Sequence, residues 1–248
     1  MELSQATVKI WNAYTAQAKA EMDSRLDGRM PFLWIDADAA RAPRLRQGEI
    51  LVAPAHDKGT RGIRGGLIHH WIGAAFIPNA TIKDVLAVVR DYPAYKKIYL
   101  PAVIDSGVLS QTEHEDHFYM RVSQKVMFVD AAVDGEYASE YFPVSANRWY
   151  SLIFSTRLQQ VIDRGQPAER KLPPDQGDGF IWRGYSFTRY EQRDGGVYIE
   201  EEAMLLSRNV PAFWRWIVSP IVERLSRDAV TLSLRETRDA VRKRVTRE

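Results

Sequence analysis

The sequence of 248 residues contains no cysteine, which excludes disulfide bonds, thiolate metal sites and cysteine nucleophiles. It also lacks an excess of charge of one sign. Its 34 Lys and Arg residues are balanced by 32 Asp and Glu residues, so the formal net charge is +2. Because nucleic-acid-binding proteins usually carry a clear basic excess or a basic stripe, no nucleic-acid partner is expected.

Long hydrophobic runs are missing as well. The longest apolar stretch, around Trp71–Pro78, is far shorter than the roughly 20 residues that a membrane-spanning helix needs. Stable membrane insertion is therefore not expected, while transient membrane contact is left open. The first residues, Met-Glu-Leu-Ser-Gln, have neither the basic nor the apolar region of a signal peptide. The sequence leaves two locations open, the cytoplasm and export with the signal peptide already removed.

Aromatic side chains, in contrast, are plentiful, with 7 Trp, 11 Tyr and 9 Phe. The N-terminal part begins with a predicted helix over residues 3–26, because apolar residues recur there at helical spacing without Gly or Pro. Residues 29–64 are expected to be irregular, with one short strand at Glu49–Ala53. Residues 1–64 cannot bury a core alone, so we expect an extension that packs on a main domain formed by residues 65–248.

The main domain has a different character, rich in strands. Leu67–Ile77 is one apolar run with β-branched and aromatic residues, and Thr81 with Asp84 predicts the start of a helix over 82–92. Further strands are predicted at 116–129, 131–142, 147–162, 179–193 and 197–210, with a hairpin at Asp194-Gly195-Gly196 and a turn near Asp130. One long helix over 211–244 ends the chain. This order predicts an α+β helix-grip fold, a curved antiparallel sheet wrapped on a long C-terminal helix.

The same order resembles a known superfamily, the START-like, polyketide-cyclase and birch-pollen-allergen-like proteins. The resemblance covers roughly residues 65–241. It rests on Gly65-Gly66-Leu67 through Pro78, on the helix Ile82 to Tyr92, and on Leu206-Ser207-Arg208-Asn209-Val210-Pro211 before the terminal helix. It implies the helix-grip fold and a cavity between sheet and helix that holds a hydrophobic small molecule.

Alternate residues of the strand at 67–77 share one face. If Pro78 points inward, then Ile68, His70, Ile72 and Phe76 do so too, and they are predicted to bind the ligand. His70 is the titratable group of this set. Two interpretations stay open: a hydrogen bond or proton transfer to a ligand, and a core histidine satisfied by its neighbours.

Three further ligand-binding candidates lie on the strand at 179–193. Arg183 shares a face with Tyr185 and Phe187, so it could meet an anionic ligand group, or it could form an ion pair with glutamates 200–202 on a solvated face. Aromatic residues at intervals along the domain either line a cavity or fill a bulky core. The predicted ligand-binding set is completed by Tyr95, Tyr119, Phe154, Ile217 and Ile221.

The main hypothesis is a protein that binds or carries a lipid or polyketide-like molecule without catalysis. A cyclase, aromatase or hydrolytic enzyme using the same cavity is the alternative, and a protein-interaction module with an unknown partner is a second alternative. An enzyme would need a titratable pair such as His70 with a tyrosine or a carboxylate, and no such pair is readable from spacing. No catalytic residue, metal site or cofactor is therefore predicted.

Overall fold

The computed structural model describes residues 2–126, 129–209 and 215–246, and it describes the side chains of residues 2–123, 131–209 and 223–246. Ten antiparallel strands form one sheet, in the order β1-β3-β10-β9-β7-β6-β5-β4, with β2 beside β3 and β8 beside β7. The strands are β1 (Leu51–Pro54), β2 (Thr60–Ile63), β3 (Gly66–Pro78), β4 (Val103–Gln111), β5 (Glu115–Val126), β6 (Val129–Ser145), β7 (Arg148–Ile162), β8 (Arg170–Lys171), β9 (Arg183–Arg193) and β10 (Gly196–Ser207).

Helices precede, interrupt and follow the strands. They are α1 (Gln5–Leu26), α2 (Arg41–Arg46), α3 (Ile82–Val89), α4 (Tyr95–Ile98) and α5 (Arg215–Val245), with short 3-10 turns at Trp34–Ala37 and Tyr92–Ala94. An antiparallel sheet against a long terminal helix is the helix-grip arrangement, so the predicted fold class is confirmed. Within the described residues, no helix is both long enough and apolar enough to span a membrane.

One face of the sheet packs against α5, and we call it the terminal-helix face. Trp71, Ala75 and Ile77 of β3 share a buried cluster with Val230 and Leu234 of α5. Between them lies Gly73, where an added Cβ would come within 2.8 Å of a Leu234 methyl group. The helix therefore approaches the sheet most closely where β3 has no side chain.

The opposite face is covered by residues 2–50, and we call it the N-terminal face. Trp11 and Met22 of α1 share a second buried cluster with Ile68 and Phe76 of β3 and with Phe187 of β9. The predicted extension thus packs on the sheet. Because the sheet is covered on both sides, twelve of the thirteen β3 residues are buried and only Pro78 is exposed.

Local signals predict most elements correctly. Ser4 caps α1, since its hydroxyl accepts from the backbone N–H of Thr7 at 3.2 Å. Thr81 and Asp84 form the expected capping box at the start of α3. At the predicted hairpin, Asp194 and Gly195 both have positive φ, at 55° and 75°, as a two-residue turn between twisted strands requires.

Several elements differ from the prediction. β2 lies in the range predicted to be irregular and no element is predicted over β4, but each forms a strand by pairing with a neighbour, β3 and β5 respectively. α3 ends at Val89 rather than at 92. The strand pair predicted on either side of Asp130 is present as β5 and β6, with Asp130 itself inside β6 opposite Lys125, and the residues that join the two strands lie outside the described ones. The start of the terminal helix before residue 215 lies outside the described residues.

Candidate functional site

Most of the predicted ligand-binding residues lie on the N-terminal face. On β3 these are Ile68, His70, Ile72 and Phe76, and the register places Arg183, Tyr185 and Phe187 of β9 and Phe154 of β7 on the same face. Taking Pro78 as inward-pointing places this set under the terminal helix, whereas these side chains face the N-terminal segment. The side chains of β3 alternate between the two faces as predicted, but Pro78, the residue taken as inward-pointing, is exposed. Both faces of β3 are buried, so hydrophobicity could not distinguish them.

The remaining members of the predicted set are dispersed. Tyr119 lies against Gly107 of β4, on the sheet face opposite Phe118. Tyr95 is buried on the terminal-helix side, with its ring 6.1 Å from that of Phe118. Ile217 and Ile221 belong to α5, but their side chains lie outside the described residues.

A buried charged network occupies the N-terminal face. Arg189 of β9 is fully buried, and its guanidinium donates to Oε1 of Glu200 at 2.8 Å and to Oε2 of Glu202 at 2.7 Å. Glu200 also accepts the backbone N–H groups of Trp34 and Ile35. The network therefore ties β9 and β10 to the N-terminal segment, and every charge in it has a partner.

His70 extends this network. Its Nε2 lies 2.9 Å from Oε1 of Glu202, and its Nδ1 lies 2.8 Å from the Tyr14 hydroxyl of α1. A histidine with a tyrosine and a carboxylate is the combination that an acid–base enzyme would need. Here, however, His70 is only 2% exposed, and the tyrosine that it contacts belongs to the covering helix. The arrangement fits the interpretation of His70 as a satisfied core histidine.

Arg183 is also paired, although not with the glutamates. Its guanidinium donates to both carboxylate oxygens of Asp175, at 2.6 and 3.1 Å. Asp175 lies in the polar loop between β8 and β9, so this ion pair holds the loop against the end of β9. No ligand is needed to explain the position of Arg183.

The terminal-helix face has a different kind of feature, a recess beneath α5. Burial raises the pKa of the Tyr99 and Tyr137 hydroxyls well above their ordinary value, and it raises the pKa of the Glu201 carboxyl to about 7. Each of these side chains nevertheless keeps part of its surface accessible. They border the space between the sheet and α5, where the Tyr99 hydroxyl lies 2.7 Å from the Thr237 hydroxyl of the helix. We call this space the recess.

Aromatic and apolar side chains form one wall of the recess. The rings of Tyr92, Phe118 and Tyr137 are stacked in series, with centroid distances of 4.1 and 5.2 Å. Tyr99 meets this wall through Tyr95, whose ring lies 4.9 Å away at a right angle. Partly accessible apolar side chains continue the wall: Met120, Val122 and Ile153.

The other wall is polar. Glu201 lies on β10 between Gly73 of β3 and Thr188 of β9. The hydroxyl of Ser233, on α5, hydrogen-bonds its carboxyl group. One helical turn further, Thr237 shares a hydrogen bond of 2.7 Å with the Tyr99 hydroxyl. Glu201, Ser233, Thr237 and Tyr99 thus bring one carboxyl and three hydroxyl groups together under the helix.

Positive charge is scarce on this face. Strand alternation determines which residues of a strand lie on this face. No Lys or Arg is among those of β3, β10 and β9, or among those of β7 as far as Ser155. A second carboxylate on the face, Asp116, is fully buried but neutralised by Arg90, which donates to both its oxygens at 2.8 and 2.9 Å. Among the side chains that the structure describes, Glu201 forms no ion pair.

Sequence reasoning missed Glu201 as a site residue, although a signal was present. Three consecutive glutamates in a strand cannot all share one face, so the middle one must lie opposite the other two. The prediction above takes all three glutamates as possible ion-pair partners of arginine. In the described part of the chain, no cluster of His, Asp and Glu has the geometry of a metal site.

No protein-family model matches the chain, and no curated protein matches it in sequence. Solved structures do match. The STAR-related lipid transfer protein from Xanthomonas axonopodis is 18% identical at a TM-score of 0.46, covering 76% of this chain and 99% of that one. The Zhui aromatase/cyclase from a Streptomyces species is 14% identical at 0.45, with coverages of 72% and 96%. Human STARD10 is 13% identical at 0.43, with coverages of 82% and 79%.

Proposed function

We propose that the protein binds an apolar small molecule in the recess beneath α5. The observation that carries the proposal is that Tyr99, Tyr137 and Glu201 are desolvated yet accessible. Pockets that hold small molecules are mostly apolar and aromatic, with a few polar groups that orient the ligand. The recess has this composition, with one aromatic wall and one wall of hydroxyl and carboxyl groups.

Burial of apolar surface would supply the affinity. Each square ångström of apolar area removed from water contributes about 25 cal/mol, so a ligand that covers Met120, Val122 and Ile153 gains from its own surface and from theirs. The polar wall would orient the ligand rather than hold it, since hydrogen bonds made in place of water contribute only about 1 kcal/mol each.

The first experiment is mass spectrometry of an organic extract of the purified protein, followed by titration with a fluorescent apolar probe. We expect a co-purifying apolar compound or saturable probe binding. Ser186→Phe tests the location, because Ser186 lies at the centre of the terminal-helix face, between Ala203 and Ile153, and is partly accessible. This variant should weaken binding by filling the space.

The matched control is Asn12→Phe, on the exposed side of α1. It adds the same ring away from the recess and should bind the probe like the wild type. If the extract is empty and the wild-type protein gives no saturable signal, the binding function is wrong. If both variants bind like the wild type, the ligand binds elsewhere.

One observation favours a second candidate, a cyclase or hydrolytic enzyme. A carboxyl group with a pKa of about 7 is suited to both accept and donate a proton at neutral pH, and Glu201 has this property. An enzyme would convert the bound compound into a product. Incubation of the extracted compound with wild-type protein, with Glu201→Gln as control, would show a product by mass spectrometry in the first sample alone.

A further inference from the structure

The groups in the polar wall of the recess are suited to hydrogen-bond one kind of polar group at the end of a ligand. Glu201 offers a carboxyl group, and Ser233, Thr237 and Tyr99 offer hydroxyls. These groups donate and accept hydrogen bonds with little net charge among them. Nothing in this cluster carries a positive charge, in contrast to the opposite face of the same strands, where Arg189 meets two glutamates.

A ligand with an anionic end would bind poorly to this cluster. A carboxylate or phosphate group moved out of water needs a cation or several donors to replace its hydration, and burial without them costs several kcal/mol. Near Glu201 it would meet another acidic group instead. Arg90, a partly buried arginine on this side of the sheet, already donates to both oxygens of Asp116.

A hydroxyl group fits the cluster without a change of charge. Its O–H can donate to a carboxyl oxygen of Glu201, and its oxygen can accept from a neighbouring hydroxyl such as Ser233. Burial favours the neutral form of Glu201, which can also donate its own proton to the ligand oxygen. Both hydrogen-bonding capacities of an alcohol are then satisfied inside the protein.

Resting on the proposed function, we infer that the recess selects an apolar molecule whose buried end is a hydroxyl group, and that Glu201 is the residue that recognises it. The partly accessible side chains of Tyr137, Met120 and Val122 accommodate the apolar body. Ligands with the same body and a free carboxylate end are rejected.

The test compares three compounds with one hydrocarbon chain: dodecan-1-ol, dodecanoic acid and dodecylamine. Each competes with the fluorescent probe on the protein at about pH 6, where the free acid is ionised and Glu201 keeps its proton. We expect the alcohol to displace the probe at a concentration at least about tenfold lower than the acid, a difference of about 1.4 kcal/mol. Glu201→Gln should retain alcohol binding within a few-fold, because an amide both donates and accepts.

Glu201→Leu should reduce alcohol binding about tenfold, and an unchanged circular dichroism spectrum would show that the variant is folded. The control Glu113→Leu changes an exposed turn and should have no effect. Equal binding of alcohol and acid, or tighter binding of the amine than of the alcohol, would overturn the inference while the recess stands. Failure of the probe itself to bind the wild type would instead reject the proposed function.

Discussion

Glu201 and Glu202 are consecutive residues of β10, and their carboxyl groups lie on opposite faces of the sheet in opposite electrostatic environments. Burial raises the pKa of Glu201 to about 7, and among the described side chains this carboxyl has a hydroxyl partner and no cationic one. Burial also opposes ionisation of Glu202, but the Arg189 guanidinium and the hydrogen bond with His70 outweigh it and lower the pKa of that carboxyl. One carboxylate thus helps to hold the N-terminal segment, and the other lines the recess.

The first prediction concerns stability between about pH 4.5 and pH 7. Between the ordinary pKa of 4.5 and the folded-state pKa of about 7, Glu201 keeps a proton that the unfolded chain releases. The unfolded state then binds fewer protons, so the free energy of unfolding falls as pH rises through this range, by about 1–3 kcal/mol. Urea denaturation at several pH values should show that the stability of the wild type declines relative to that of Glu201→Gln over this range. Parallel curves for the two proteins would contradict the assignment.

The second prediction concerns acid stability and His69. Burial lowers the pKa of this histidine from 6.5 to about 4, and its two ring nitrogens lie 3.0 Å from the Thr60 hydroxyl and 2.8 Å from the Ser207 hydroxyl. As pH falls from 6.5 to 4 the unfolded chain takes up the proton first, so stability should fall by about 2 kcal/mol. His69→Gln should flatten this part of the curve relative to the wild type. An unchanged slope would mean that His69 is not the group responsible.

The third prediction tests the buried network. Arg189→Met removes the guanidinium that forms ion pairs with both Glu200 and Glu202, so we expect a loss of about 3–5 kcal/mol in unfolding free energy. Replacing both glutamates by Gln in the same chain should restore part of that loss, because the uncompensated charges disappear. Arg157→Met is the control, since its partner Glu136 is a surface residue and such pairs contribute about 1 kcal/mol or less. Equal losses for both arginines would show that the network is not critical.

The fourth prediction is that the N-terminal segment folds with the sheet. Trp11 is 5% exposed and packs in the cluster of the N-terminal face, so Trp11→Ala should cost about 3–5 kcal/mol. The adjacent, exposed Asn12 provides the control, and Asn12→Ala should change stability by less than about 0.5 kcal/mol. Circular dichroism during urea unfolding should show a single transition in every case. A separate early transition would mean that the segment detaches independently.

The fifth prediction separates His70 from ligand binding. His70→Ala leaves Glu202 and Tyr14 without a shared partner, so we expect a destabilisation of about 1–3 kcal/mol. Probe affinity, measured where the variant is still folded, should stay within about twofold of the wild type because the residue lies on the opposite face from the recess. A tenfold loss of affinity in the folded variant would place the ligand on the N-terminal face.

Local patterns predicted the secondary structure better than the site. The capping box at Thr81 and the hairpin at Asp194 are encoded within a few residues, so they could be read directly. β2 and β4 could not, because short edge strands of mixed composition become strands only by pairing with β3 and β5. His70 was singled out for its residue type, and its actual partners, Tyr14 and Glu202, are distant in the chain.

By itself the sequence determined an α+β fold with a long terminal helix, a covering N-terminal helix and strands whose residues alternate between two faces. Only the tertiary structure decided which of those faces meets α5, and therefore that Glu201 rather than His70 lines the recess. A period of two separates a strand into two faces but says nothing of what packs against either. Here both faces are apolar and buried, so the choice depends on contacts between residues far apart in the chain, such as Gly73 with Leu234.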